Sequence, residues 1–146
     1  MSVAESPGLF FLDTNILAYS FDATAPEKRW VAQQIIDAAL RTQRGIISTQ
    51  VIQEFLNLAL RRFDQPMSSG EAGDYLRVVL LPLCRHYPSA NFYHHALLLK
   101  DETGYAWYDA LVVTAALESG CTTLFTEDMQ DGRMVRDVII RNPFAS

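Results

Sequence analysis

The chain has 146 residues, 49% of them hydrophobic and 20% charged, with a formal net charge of -5. That length suits one domain built on one core, and the apolar share excludes the low-hydrophobicity signature of disorder. The negative balance argues against a broadly basic nucleic-acid binder, while leaving room for a local positive groove beside an acidic pocket.

"GLFFL" is a continuous apolar run after a Pro-Gly turn, the pattern of a first strand buried on both faces in a parallel sheet. The next element, "TAPEKRWVAQQIIDAALRTQRG", reads as a helix. Thr24 and Glu27 are spaced for a capping box, Val31, Ile35 and Ala38 or Ala39 share a face, and Gly45 is expected to close it. "GIIS" is a short β-branched strand feeding a second helix, "STQVIQEFLNLALRRF". There Ser48 or Thr49 is available as a cap and Val51, Phe55 and Leu58 mark the apolar face. "SSGEAGDYLRVVLLPLC" begins with a box of Ser68 and Glu71, and Pro82 is expected to end that helix. "LCRHY" reads as a brief strand. Ser89 caps "ANFYHHALLLKDETG", Gly104 separates it from the helix "YAWYDALVVTAALESG", and "CTTLFTED" and "VIIRN" are the last strands. Short buried strands alternating with helices, without repeats or long linkers, define an α/β chain with a parallel sheet; the pairing order is open.

The two cysteines, Cys84 and Cys121, stand far apart and outside any C-x-x-C spacing, which points to reduced core thiols rather than a disulfide frame or zinc site. Residues 1–8 carry no basic leader and "VVLLPLC" is too short to span a bilayer. The expectation is a cytoplasmic protein with no membrane association. Lysine occurs only as Lys28 and Lys100, so a polyanion would be gripped mainly by arginine forks.

Four acids fall where an apolar element ends or is interrupted: Asp13, Glu54, Asp109 and Asp128. Ligand sites of parallel sheets lie beyond the carboxyl ends of strands, so Asp13 and Asp128 can share one crevice whose walls carry Glu54 and Asp109. Close carboxylates repel by roughly 1 to 4 kcal/mol per pair, and a hard cation such as Mg²⁺ or Mn²⁺ relieves that repulsion while making water more nucleophilic. Each acid also has a purely structural reading. Asp13 or Asn15 can cap a helix, Glu54 can face solvent beside Asn57 and Arg61, Asp109 can complement a helix dipole, and "TEDMQDG" can be a turn. Spacing alone leaves these readings open.

The blocks "FLDTNIL", "VIQEFLN", "WYDALVVTAA" and "LFTEDMQDG", in this order over nearly the whole chain, resemble the signature blocks of PIN-domain ribonucleases, specifically VapC-like toxins. The resemblance implies a single PIN-like domain over residues 1–146, a three-layer α/β/α fold with a central parallel sheet, and Mg²⁺- or Mn²⁺-dependent endoribonuclease activity leaving a 3′-hydroxyl and a 5′-phosphate. It implies catalytic roles for Asp13, Glu54, Asp109 and Asp128, metal ligation by Asp13, Asp109 and Asp128, and support from Asn15 and Thr126. An RNA substrate, a cognate antitoxin and a homodimer follow from the same resemblance. Asp131 stands where relatives often have histidine, and is expected to cap the following turn rather than to extend metal binding.

The remaining candidates rank lower. His94 and His95 are adjacent on a helix, so their side chains diverge. Tyr105, Trp107 and Tyr108 can stack an RNA base, but burial in the core or a dimer interface is the favoured reading. Arg61, Arg62, Arg133 and Arg136 are scattered surface charges. Two rivals stand beside the nuclease reading. One is a PIN-like module that binds RNA or protein without cutting. The other is a Mg²⁺-dependent phosphoacceptor domain, which expects a mid-chain aspartate at a strand end and a lysine near the last strands; neither is evident.

Overall fold

The computed structural model describes residues 8–145; the Pro7 half of the expected Pro-Gly turn and the segment before it lie outside the described residues. Six strands make one sheet: β1 (Leu9–Leu12), β2 (Gly45–Ser48), β3 (Cys84–His86), β4 (Cys121–Phe125), β5 (Met134–Val135) and β6 (Val138–Arg141). Their order is β3-β2-β1-β4-β6-β5, and every neighbouring pair is parallel except the β5–β6 hairpin. β1 is apolar throughout because it is central. Phe11 sits between Ile46 of β2 and Leu124 of β4, and Phe10, Phe11 and Leu12 are buried. The short edge strands β3 and β5 leave little backbone for unwanted pairing.

The helices are α1 (Thr14–Tyr19), α2 (Pro26–Thr42), α3 (Thr49–Arg61), α4 (Ser69–Tyr75), α5 (Leu81–Leu83), α6 (Ala90–Thr103) and α7 (Trp107–Glu118), with a π-helical turn at Leu76–Leu80. The chain moves outward from β1 to β2 to β3 through α1 to α5, then returns past β1 to β4 through α6 and α7. Parallel crossovers are right-handed, so this reversal puts the two helical sets on opposite faces. The result is a three-layer α/β/α sandwich with its core on both sides of β1.

Several helix ends follow their local sequence. Ser48 and Ser89 cap α3 and α6, Ser68 and Glu71 form the reciprocal box on α4, and Gly104 closes α6 in the left-handed region. The start of α2 departs from expectation. Thr24 bonds Asp22, Ala25 is the cap without a side-chain bond, and Pro26 opens the helix, its fixed φ and missing N–H suiting that position. Nor does Gly45 close α2. Gln43 does so at φ 60°, and Gly45 opens β2, where an added Cβ would lie 2.1 Å from the Ala39 Cβ. Pro82 does not end its helix outright. The preceding turn widens to π geometry and the helix runs on to Leu83, consistent with a ring that has no N–H to return and crowds the turn before it.

On α3 the buried face is Val51, Phe55 and Ala59, with Leu58 only half-buried. Phe55 stacks on Tyr75 at 5.1 Å and meets Phe21 and Phe63 at 5.9 Å, which ties α3 to α4. Cys84 and Cys121 are free and buried. Among the described residues no helix is long and apolar enough to cross a membrane.

Candidate active site

The sheet order reverses between β1 and β4, which stay paired to their carboxyl ends at Leu12 and Phe125. The connections leaving them therefore run to opposite faces, and that is the place where parallel sheets form a crevice. Asp13 follows β1 directly and is the N-cap of α1, so its capping reading holds. Its Oδ1 accepts the Thr14 backbone N–H at 2.7 Å and its Oδ2 accepts the Thr126 hydroxyl at 2.8 Å. Burial pushes the Asp13 carboxyl up to about 7; the bonds from Thr126 and Thr14 oppose the rise, and the charges of Glu54 and Asp128 add to it.

Thr126, fully buried just after β4, joins the two sides of the crevice. While donating to Asp13, its oxygen accepts the Asn15 side-chain amide and the Asp128 backbone N–H, both at 3.2 Å. Asn15 also donates to Asp128 Oδ2 at 3.1 Å and accepts the Glu127 N–H at 3.2 Å. Asn15 thus pins the loop after β4 onto α1.

Because α3 starts and α7 starts at the carboxyl ends of the strands, Glu54 and Asp109 approach the same crevice. Asp109, in the first turn of α7, is half-buried, and its carboxyl is raised by burial first and by the Asp128 charge second. Glu54 is exposed and accepts the Gln50 amide at 2.8 Å, not a bond from Arg61, yet its charge reaches Asp13. The charges of these acids act on one another in pairs, Glu54 and Asp128 on Asp13 and Asp128 on Asp109. Among the described residues, no three acidic, histidine or cysteine side chains converge as a preformed cage. The donor set fits a divalent cation by its chemistry, because a buried carboxylate crowded by two like charges is relieved by a hard positive ion.

Sequence reasoning passed over Glu127. Its carboxylate takes Lys28 at 2.6 Å and the Tyr19 hydroxyl at 2.6 Å, and Lys28 also lies over the Tyr19 ring. Burial alone would raise Glu127, but Lys28 and Tyr19 hold it below its ordinary value. This neutralised acid flanks Asp128 without adding free charge. Asp131 accepts the Asn142 backbone N–H at 2.9 Å, tying the loop to the chain after β6.

The lower-ranked residues divide. His95 and the buried His86 each bond one oxygen of Glu118, at 2.8 and 2.9 Å. Arg133 lies over the Tyr105 ring and donates to Thr103, and Arg136 pairs with Glu102, so both serve the end of α6. Trp107 is half-buried against the core, as expected, but Tyr108 is 66% exposed. Adjacent helical positions point about 100° apart, so core burial of one turns the other outward.

A doubly wound sheet with carboxylates gathered at its switch point defines an α/β domain with an acidic crevice. The chain belongs to the PIN domain family, whose model matches residues 10–131. Solved structures of similar fold include a toxin-antitoxin complex from Klebsiella pneumoniae, with TM-score 0.65 and 20% identity over 92% of this chain and 97% of that one. VapBC2 from Rickettsia felis, bound to a DNA fragment from their promoter, has TM-score 0.61 and 18% identity over 92% of this chain and 98% of that one. Mycobacterium tuberculosis VapC20, a sarcin-ricin loop cleaving toxin, has TM-score 0.55 and 21% identity over 82% of this chain and 91% of that one. A search of curated proteins found no match.

Proposed function

We propose that this protein is a divalent-metal-dependent endoribonuclease, a single PIN domain acting as the toxin of a toxin-antitoxin pair. The observation that carries the reading is the bond between Asp13 and Thr126 at the switch point, with Glu54, Asp109 and Asp128 electrostatically coupled around it. Asp13, Asp109 and Asp128 would hold Mg²⁺ or Mn²⁺, with Glu54 completing the acidic wall. When bound, such a cation makes water more nucleophilic and offsets charge developing on a phosphoryl oxygen.

The chain's own residues prepare that site. Thr126 and the Thr14 N–H favour the ionised form of Asp13 against its burial, and Asn15 orients Asp128. Lys28 and Tyr19 keep Glu127 engaged at the rim, so an incoming RNA meets the functional carboxylates rather than one further free acid. The Klebsiella and Rickettsia assemblies support a cognate antitoxin as partner, and VapC20 supports RNA as substrate. A homodimer in the cytoplasm completes the proposal.

Incubation with total RNA in Mn²⁺ or in EDTA, beside Asp109→Asn, tests this reading. Cleavage is expected in Mn²⁺ alone, leaving 5′-phosphate ends, and the variant is expected to lose it. Equal cutting by Asp109→Asn, or 2′,3′-cyclic phosphate as the main product, would contradict it.

A further inference from the structure

A groove of about 250 Å³ opens between the first turns of α3 and the hairpin of α6 and α7. Gln50 and Gln53 stand on one wall, Tyr93, Trp107 and Tyr108 on the other, and the buried His86 also lines it. The groove adjoins the acidic crevice through the chain itself, since Gln53 precedes Glu54 and Tyr108 precedes Asp109. At about 100° per helical residue, one turn of α7 presents an acid to the crevice and a phenol ring to the groove.

No Asp, Glu, Lys or Arg lines this groove. A phosphate or a charged peptide side chain would find no counter-charge in it, whereas a neutral heteroaromatic ring finds both π faces and amides. The Tyr108 ring is 66% exposed and makes no ring contact among the described residues. Gln50 is engaged by Glu54, but the exposed Gln53 carboxamide, which can donate and accept together, has no hydrogen-bond partner among the described residues.

We propose that this groove is a nucleobase subsite, in which an unpaired base flanking the scissile phosphodiester stacks on Tyr108 and is read at its edge by Gln53. The proposal rests on the nuclease reading above and names part of its specificity. Entering the groove takes the base out of its stack, which costs free energy in a duplex and least in a single strand, so single-stranded RNA is favoured at this point.

Two measurements test it on the full chain, with Tyr108→Ala, Tyr108→Phe and Gln53→Ala beside wild type. Binding of labelled single-stranded homopolymer RNA octamers is read by anisotropy in EDTA, and the bases flanking each cut in total RNA are mapped in Mn²⁺. Tyr108→Ala is expected to weaken binding and raise KM roughly 5- to 100-fold with kcat little changed, whereas Tyr108→Phe keeps the ring and restores both. Gln53→Ala is expected to broaden the range of bases beside the cut. Both side chains are exposed, so melting curves that overlay wild type are expected.

Unchanged binding and an unchanged cut-site distribution in Tyr108→Ala and Gln53→Ala, with wild type cutting normally, would overturn the subsite and leave the nuclease reading intact. A wild type that neither binds nor cuts RNA would overturn both. Loss of a dimer on size exclusion without loss of RNA binding would assign the groove to contact between copies, and so overturn the subsite.

Discussion

Replacing Asp13 by asparagine isolates the electrostatic strain of the crevice. The wild-type carboxyl rises from its ordinary 3.8 to about 7 in the fold, chiefly by burial. Between those values the folded protein keeps a proton that the unfolded chain has released, so stability falls as pH rises through this window, and the full penalty applies above about pH 7. At about 1.4 kcal/mol per pH unit, that penalty is roughly 4 kcal/mol. Asparagine cannot ionise, but it fits the Thr126 hydroxyl and Thr14 N–H less well, which costs about 1 to 2 kcal/mol. In EDTA at pH 8, Asp13→Asn is therefore expected to be more stable than wild type by roughly 2 to 3 kcal/mol in urea unfolding. Near pH 4 the gain disappears, because the folded carboxyl is then protonated and the unfolded one only about half ionised, which leaves a penalty below about 1 kcal/mol. Mg²⁺ is expected to close the gap at pH 8 by stabilising wild type alone, by about 2.7 kcal/mol at a hundred times Kd. A difference independent of pH, or a variant weaker than wild type at pH 8 in EDTA, would refute the assignment of Asp13 as a strained buried acid.

Asn15→Ala removes the amide contacts to Thr126, Asp128 and Glu127, and is expected to cost about 1 to 3 kcal/mol in urea unfolding. Because it frees Asp128, it is also expected to raise the Mn²⁺ concentration needed for half-maximal cleavage; an unchanged Mn²⁺ titration would count against an orienting role. Gly45→Ala places a methyl group 2.1 Å from the Ala39 Cβ and 3.1 Å from the Phe10 ring, and is expected to cost about 1 to 3 kcal/mol by overpacking. A loss below about 0.5 kcal/mol in urea unfolding would show that α2 shifts away without strain.

Most elements were legible because their signals are local. The unbroken apolar run of β1, the serine caps of α3, α4 and α6 and the glycine after α6 act within a few residues of themselves. The misreadings mark where a distant neighbour intervenes. Gly45 looked like a helix terminator, but its missing side chain serves the approach of α2 to β2. Of the two places read for Tyr108, the core or a dimer interface, the first is removed because Trp107 takes the half-buried position beside the core and turns its neighbour outward. β5, two residues long, exists only as the returning partner of β6 and carries no pattern of its own.

The candidate site divides in the same way. Its four acids and their flanking blocks stood out along the chain, since a charge ending an apolar strand or interrupting an apolar helix is conspicuous by itself. Which groups meet depended on the order of the strands. Thr126 reaches Asp13 across 113 residues and Lys28 reaches Glu127 across 99, solely because β4 returns to lie beside β1. Secondary structure is set by neighbours a few bonds away and is written locally. Burial, charge pairing and the rise of the Asp13 carboxyl depend on what the packed sheet brings within a few ångströms, and only the tertiary structure decided that.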